Sequence, residues 1–130
     1  VSPTVRNYRR VGDIIAYQVA LVKEYKNAFL RFRRGGYFNE QELGYLGRVY
    51  EKLFKECLRH LDELAVVLTA GSARMSDDER LQAIDRIHAG MQDKLLFLRH
   101  FNNNTTVLAV QRAKEKNDAQ VILKLYGLSN

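Results

Sequence analysis

Three histidines, His60, His88 and His100, are the residues best suited to metal or proton chemistry, and their spacing serves neither. No HExxH or ExxH pair occurs, and the three lie on different expected segments or about three helical turns apart. His60 and His88 border apolar stripes, so a half-buried structural role is expected of both. Asp62-Glu63 and Asp77-Asp78-Glu79 are adjacent in sequence and point different ways round a helix. They read as a solvated face and a helix first turn, not as an acid/base pair. The single cysteine, Cys57, excludes an internal disulfide and falls on an apolar stripe, where a small buried hydrophobe is expected. Gly35-Gly36 sits in no GxxxxGK[ST] or GxGxxG frame, and Gly44 and Gly47 make only a weak GxxG spacing that suits a close helix crossing. No Ser, Cys or Lys belongs to a nucleophile motif. The chain reads as a non-enzyme with no catalytic, cofactor-binding or metal residues.

Charge is the more informative signal. The net charge of +6 is concentrated at the N-terminal side, where residues 1–34 carry eight basic and two acidic residues. Arg6, Arg9, Arg10, Arg31, Arg33 and Arg34 form a candidate basic patch for phosphates or an acidic surface. The competing reading is a solvated helix end, because cations suit the last turn before Gly35-Gly36. A pI near 9.6 makes nucleic acid a natural partner to consider. Against it, Tyr25, Phe29 and Phe32 share a core stripe instead of forming a stacking platform.

Positioning these residues falls to long helices. Residues are 46% hydrophobic and 28% charged, with one proline, which is the composition of a folded helical chain. The stretch 39–70 is the expected organiser. Leu43, Leu46, Tyr50, Leu53, Cys57, Leu61, Leu64 and Leu68 step by threes and fours along one face, and Asn39 with Glu42 forms a capping box. At about 1.5 Å per residue it runs to about 45 Å and needs partners for its stripe. A first helix is predicted over 5–34, with Val11, Ile14, Ile15, Val19, Val22, Tyr25, Phe29 and Phe32 on its stripe and Leu21 and Ala28 widening it. Ser76 and Glu79 cap a third over 76–101, which Asn102-Asn103-Asn104 is expected to break. A fourth follows over 105–126, with a break near Asn117 where Asp118 could cap a last short piece. TTVLAV has strand-like composition but no second strand to pair with. The fold class is all-α: an elongated antiparallel bundle of about four helices in a single domain, 1–130. No run is long and apolar enough for a membrane span.

The C-terminal half resembles a known family. The run MSDDERLQAIDRIHAGM (75–91), an Asn-rich break and RAKEKNDAQVILKLYG (112–127) look like the TraI-type conjugal transfer proteins of Bacteroides-type conjugative transposons. These are distinct from the relaxase of the same name. Met75, Ser76, Asp77, Glu79, Arg80, Ile84, Asp85, Arg86 and Ile87 fit the first two parts of the family pattern. Arg112, Ala113, Lys114, Lys116, Asn117, Asp118, Leu125, Tyr126 and Gly127 fit the third. The likeness covers about 55 residues well; upstream it is a shared layout of two long helices, with FNEQEL (38–43) similar to the start of the family's second.

What the resemblance implies is a non-enzymatic assembly component of a conjugative, type IV secretion-like apparatus. Such a component acts in the periplasm through contacts with other transfer proteins, and self-association is compatible with its wide stripes. Family members carry a signal peptide, so the start at Val1 is expected where one has been removed. The resemblance brings no catalytic residues; Arg112, Lys114, Asn117, Asp118 and Tyr126 carry over as a candidate partner-contact patch. A helix break capped by Asp118, with Tyr126 packed at the end, is the competing reading of the same residues. The alternative function is a cytoplasmic nucleic-acid-binding accessory or regulator that uses the basic N-terminal segment.

Overall fold

A computed structural model describes residues 3–116 and 119–127, with side chains from residue 6 onward and residue 7 excepted. All four elements are helices: α1 (Pro3–Gly35), α2 (Glu40–Thr69), α3 (Asp77–Glu115) and α4 (Ala119–Leu125). No strand occurs among the described residues, so the chain is an all-α bundle.

Local chemistry sets the boundaries. Asn39 caps α2, its side chain accepting from the Glu42 amide at 2.8 Å while the Glu42 carboxylate accepts from the Asn39 amide at 3.0 Å. Ser76 and Glu79 repeat the reciprocal pair at the start of α3, at 3.1 and 3.2 Å. Each box satisfies two amides that a helix start would otherwise leave open. After α1, Gly36 adopts φ 76°, a left-handed turn that residues with a Cβ resist.

Register follows from ion pairs between helices. Glu24 meets Arg99 through two bonds of 2.9 Å, Arg10 meets Asp85 at 3.3 Å, and the Tyr37 carbonyl meets Arg112. Each partner lies 75 residues further on, so α1 and α3 run parallel. Along α3, Arg86, Lys94 and Arg112 meet Glu63, Glu56 and Glu42 of α2 in descending order. Helix α2 is therefore antiparallel to α3. The three long helices form an up-down-up bundle, and α4 folds back on the end of α1.

Two expectations are corrected. The helix with the most extensive packing is α3, which lies chiefly on α1 and next on α2, so α2 is one partner and not the organiser. The Asn run does not break it, and the predicted helices 76–101 and 105–126 give way to one helix to Glu115 and a seven-residue α4. Asparagine costs an exposed helix only a fraction of 1 kcal/mol per residue, which tertiary contacts override. Here Asn102 accepts a 2.6 Å hydrogen bond from the Tyr50 hydroxyl. Beyond it Thr105, Thr106, Ala109, Val110 and Ala113 are buried at helical spacing, and the Thr105 hydroxyl donates to the Phe101 carbonyl.

The core holds Ile14, Leu21, Ala28 and Phe32 of α1; Leu46, Tyr50, Leu53, Cys57, Leu64 and Val67 of α2; and Ile84, Ile87, Met91, Leu95 and Leu98 of α3. Ile15 and Val19, expected on the α1 stripe, are 53% and 62% exposed, because the buried stripe runs through Leu21 and Ala28. Leu68 gives its expected place to Val67 in the same way. A 3.6-residue period drifts against strict steps of four, and packing selects which edge of a wide stripe goes inside.

Candidate functional site

The proposed contact residues sit near the end of the bundle where α1 stops, α2 begins and α3 ends. Arg112 projects from the last turns of α3 into the α1–α2 turn. Its Nη1 donates to the Tyr37 carbonyl at 2.7 Å and to Glu42 Oε1 at 3.0 Å, and its Nη2 donates to Glu42 Oε2 at 2.8 Å. Its Cζ lies 5.3 Å from the centre of the Phe38 ring. Glu42 thus accepts from Arg112 and from the Asn39 amide at once. The Arg112 guanidinium, then the Asn39 amide, hold its carboxyl at about 2, well below the usual range and against a smaller opposing effect of burial. This arrangement is a clamp. Arg112 is an internal tie between α3 and the capping box of α2, not a free contact residue.

Of the other contact candidates, Lys114 is exposed on α3 and Tyr126 is 49% exposed just after α4. Asn117 and Asp118, with the expected cap at Asp118, lie outside the described residues.

The basic patch divides in two. Arg6 and Arg9 are exposed near the start of α1, and Arg10 pairs with Asp85. Arg31, Arg33 and Arg34 lie at the other end, about 30 Å away at the rise of a helix. Each cluster therefore acts separately. Arg33 Cζ lies 5.1 Å from the centre of the Phe29 ring and Lys116 Nζ 5.4 Å from that of Tyr37, so both charged heads sit over aromatic faces.

Folding adds residues to the second cluster that sequence spacing did not associate with it. Leu125 of α4 lies over Gly35, whose hypothetical Cβ would come within 3.1 Å of Leu125 Cδ2, so the absence of a side chain allows α4 to approach. That contact brings Lys124 beside Arg31 and Arg34 around a concavity of about 420 Å³. Lys124 sits in the last turn of α4, as Arg34 does in that of α1. Two helix C-termini thereby bring their cations to one place. Reading each helix end alone could suggest the cations; only α4's docking shows that they converge.

Elsewhere the titratable groups serve packing. His60 lies against Gly90, and His88 is tilted on the Tyr17 ring with Nε2 3.6 Å from Asp13. His100 is exposed. Cys57 is buried, and burial pushes its thiol up to about 11, away from the reactive thiolate. Among the described residues no group of three His, Cys, Asp or Glu is placed to hold a metal ion, and no helix is long and apolar enough to cross a membrane. Compared with protein-family models, curated proteins and solved structures, the chain matches none of them.

Proposed function

We propose that this chain is a non-enzymatic assembly component of a conjugative, type IV secretion-like transfer apparatus, working in the periplasm by binding other transfer proteins. The reading starts from the resemblance of 75–91 and 112–127. The observation that carries it structurally is the end of the bundle built by Arg112. There Arg33, Arg34, Lys114, Lys116, Lys124 and Tyr126 stand exposed on a scaffold tied to the α1–α2 turn. A surface mixing cations and aromatic rings on a fixed backbone scaffold, with Arg33 and Lys116 laid over rings, suits protein recognition.

The test is to express the native gene with its own start codon, fractionate the cells, sequence the N-terminus of the product and cross-link it in place. A processed product in the envelope fraction, cross-linked to transfer proteins, supports the reading. An unprocessed cytoplasmic product overturns it. The second reading, a nucleic-acid-binding regulator, draws on the exposed Arg6 and Arg9. It requires DNA affinity that falls steeply with salt and disappears in an Arg6→Glu/Arg9→Glu variant. The division of the basic residues between two ends of α1 weighs against it.

A further inference from the structure

We infer that the concavity between the C-terminal ends of α1 and α4 is a docking site for an acidic peptide segment of a partner protein, taking a carboxylate side chain together with an apolar neighbour. This rests on the reading of the chain as a protein-binding component, and specifies the chemistry of one contact. The site is lined by Arg31, Arg34, Gly35, Val121, Lys124, Leu125 and Gly127.

Charge points to an anion. Among the described residues three cations surround the space, no acidic side chain lines it, and no ion pair engages Arg31, Arg34 or Lys124. Elsewhere on the bundle Arg10, Arg86, Lys94, Arg99 and Arg112 meet carboxylates across helices, and Arg80 donates to the Val67 and Ala70 carbonyls. Like charges brought together repel unless an anion lies between them. Arg31 lines both this space and the neighbouring one beside Glu24, and its buried Nε has no hydrogen-bond acceptor among the described residues. A guanidinium matches the two oxygens of a carboxylate.

The floor decides what carries the anion. Gly35 and the partly buried Val121 supply apolar surface beneath the cations, over a buried Leu125. A bare inorganic ion would leave that surface wet, whereas a Leu or Ile next to the acidic residue covers it. A nucleic-acid backbone presents phosphates in a row and is best met by cations strung along a face. Here the cations gather round one depression.

The experiment uses the whole chain, isotope-labelled. It is titrated with a fluorescent ten-residue peptide bearing two Leu-Glu pairs, with its Leu-Gln counterpart, with inorganic phosphate and with phosphatidylglycerol vesicles. Binding is followed by anisotropy and by backbone amide shifts. The Leu-Glu peptide is expected to bind and to shift amides in 31–36 and 121–127. The Leu-Gln peptide and an Arg34→Glu/Lys124→Glu variant are each expected to weaken binding at least tenfold, and Arg6→Glu/Arg9→Glu to leave it unchanged. Arg34 and Lys124 are exposed, so the variant should stay folded, with a slightly lower melting temperature from two anions at helix C-termini; Lys124→Gln alone should weaken binding in the same direction. The inference is overturned by no peptide binding, by equal binding of the Leu-Gln peptide, by shifts centred on the start of α1, or by phosphate or vesicles binding where the peptide does not. If the peptide fails while the processed envelope product still cross-links to transfer proteins, this site falls and the broader reading stands.

Discussion

Arg112 and Glu42, seventy residues apart in the chain, share two parallel hydrogen bonds of 3.0 and 2.8 Å through which the end of α3 holds the first turn of α2. The same guanidinium secures the carbonyl of Tyr37 in the turn before it. Three chain segments therefore depend on one side chain. Arg112→Ala should lower the melting temperature by several degrees. Arg112→Lys should recover only part of the loss, because a point charge cannot reproduce the fork.

Stability should depend on pH through this contact. The folded-state pKa of Glu42 is depressed from 4.5 to about 2, so its stabilisation is complete above the unfolded value and is lost as pH falls from about 4.5 towards 2. Glu56, held by Lys94, and Glu79, held by the Ser76 amide, are lowered too and act in the same direction. Denaturant titrations across that window should show a decline that Glu42→Gln flattens. High salt should shrink the effect, since both side chains of the pair are about one-third exposed, 33% and 34%.

The helix through the Asn run has its own test. Tyr50 is 2% exposed, its hydroxyl donates to Asn102, and burial pushes the phenol pKa above its ordinary value. Asn102→Ala should cost about 1–3 kcal/mol, because it strands a buried donor. Tyr50→Phe in that background should recover most of it, measured as a double-mutant cycle by chemical denaturation.

Gly90 and His60 should be coupled. A Cβ at Gly90 would lie 2.7 Å from His60 Cε1 and 2.8 Å from Nε2. Alanine in a helix interior normally gains about 1 kcal/mol over glycine. Gly90→Ala should show that gain only when His60→Ala has cleared the space, and should be neutral or destabilising with His60 present.

Depth in the core should separate neighbours on α3. Leu98 is fully buried and Leu96 is 56% exposed. Leu98→Ala should cost about 2–5 kcal/mol, and Leu96→Ala should stay within about 0.5 kcal/mol of the parent.

The sequence by itself determined the all-α class, the two capping boxes, the stop after α1 and most of the buried positions. These depend on contacts three or four residues apart, which neighbouring residue types specify directly. The place of Cys57 in the core and the half-burial of His60 and His88 were legible for the same reason. Only the tertiary structure decided that α3 runs unbroken through Asn102-Asn103-Asn104. The small local cost of asparagine in a helix is outweighed by a bond from Tyr50, 52 residues away, and by the packing beyond it. Only the tertiary structure turned Arg112 from a candidate contact into a clamp, because Glu42 is distant in sequence. It also joined the second group of arginines to Lys124, whereas the separation of that group from Arg6 and Arg9 already follows from the rise of a helix over 5–34. The arginines and Lys124 lie at the ends of separate helices, and how such ends meet follows from packing, which no short stretch of chain encodes.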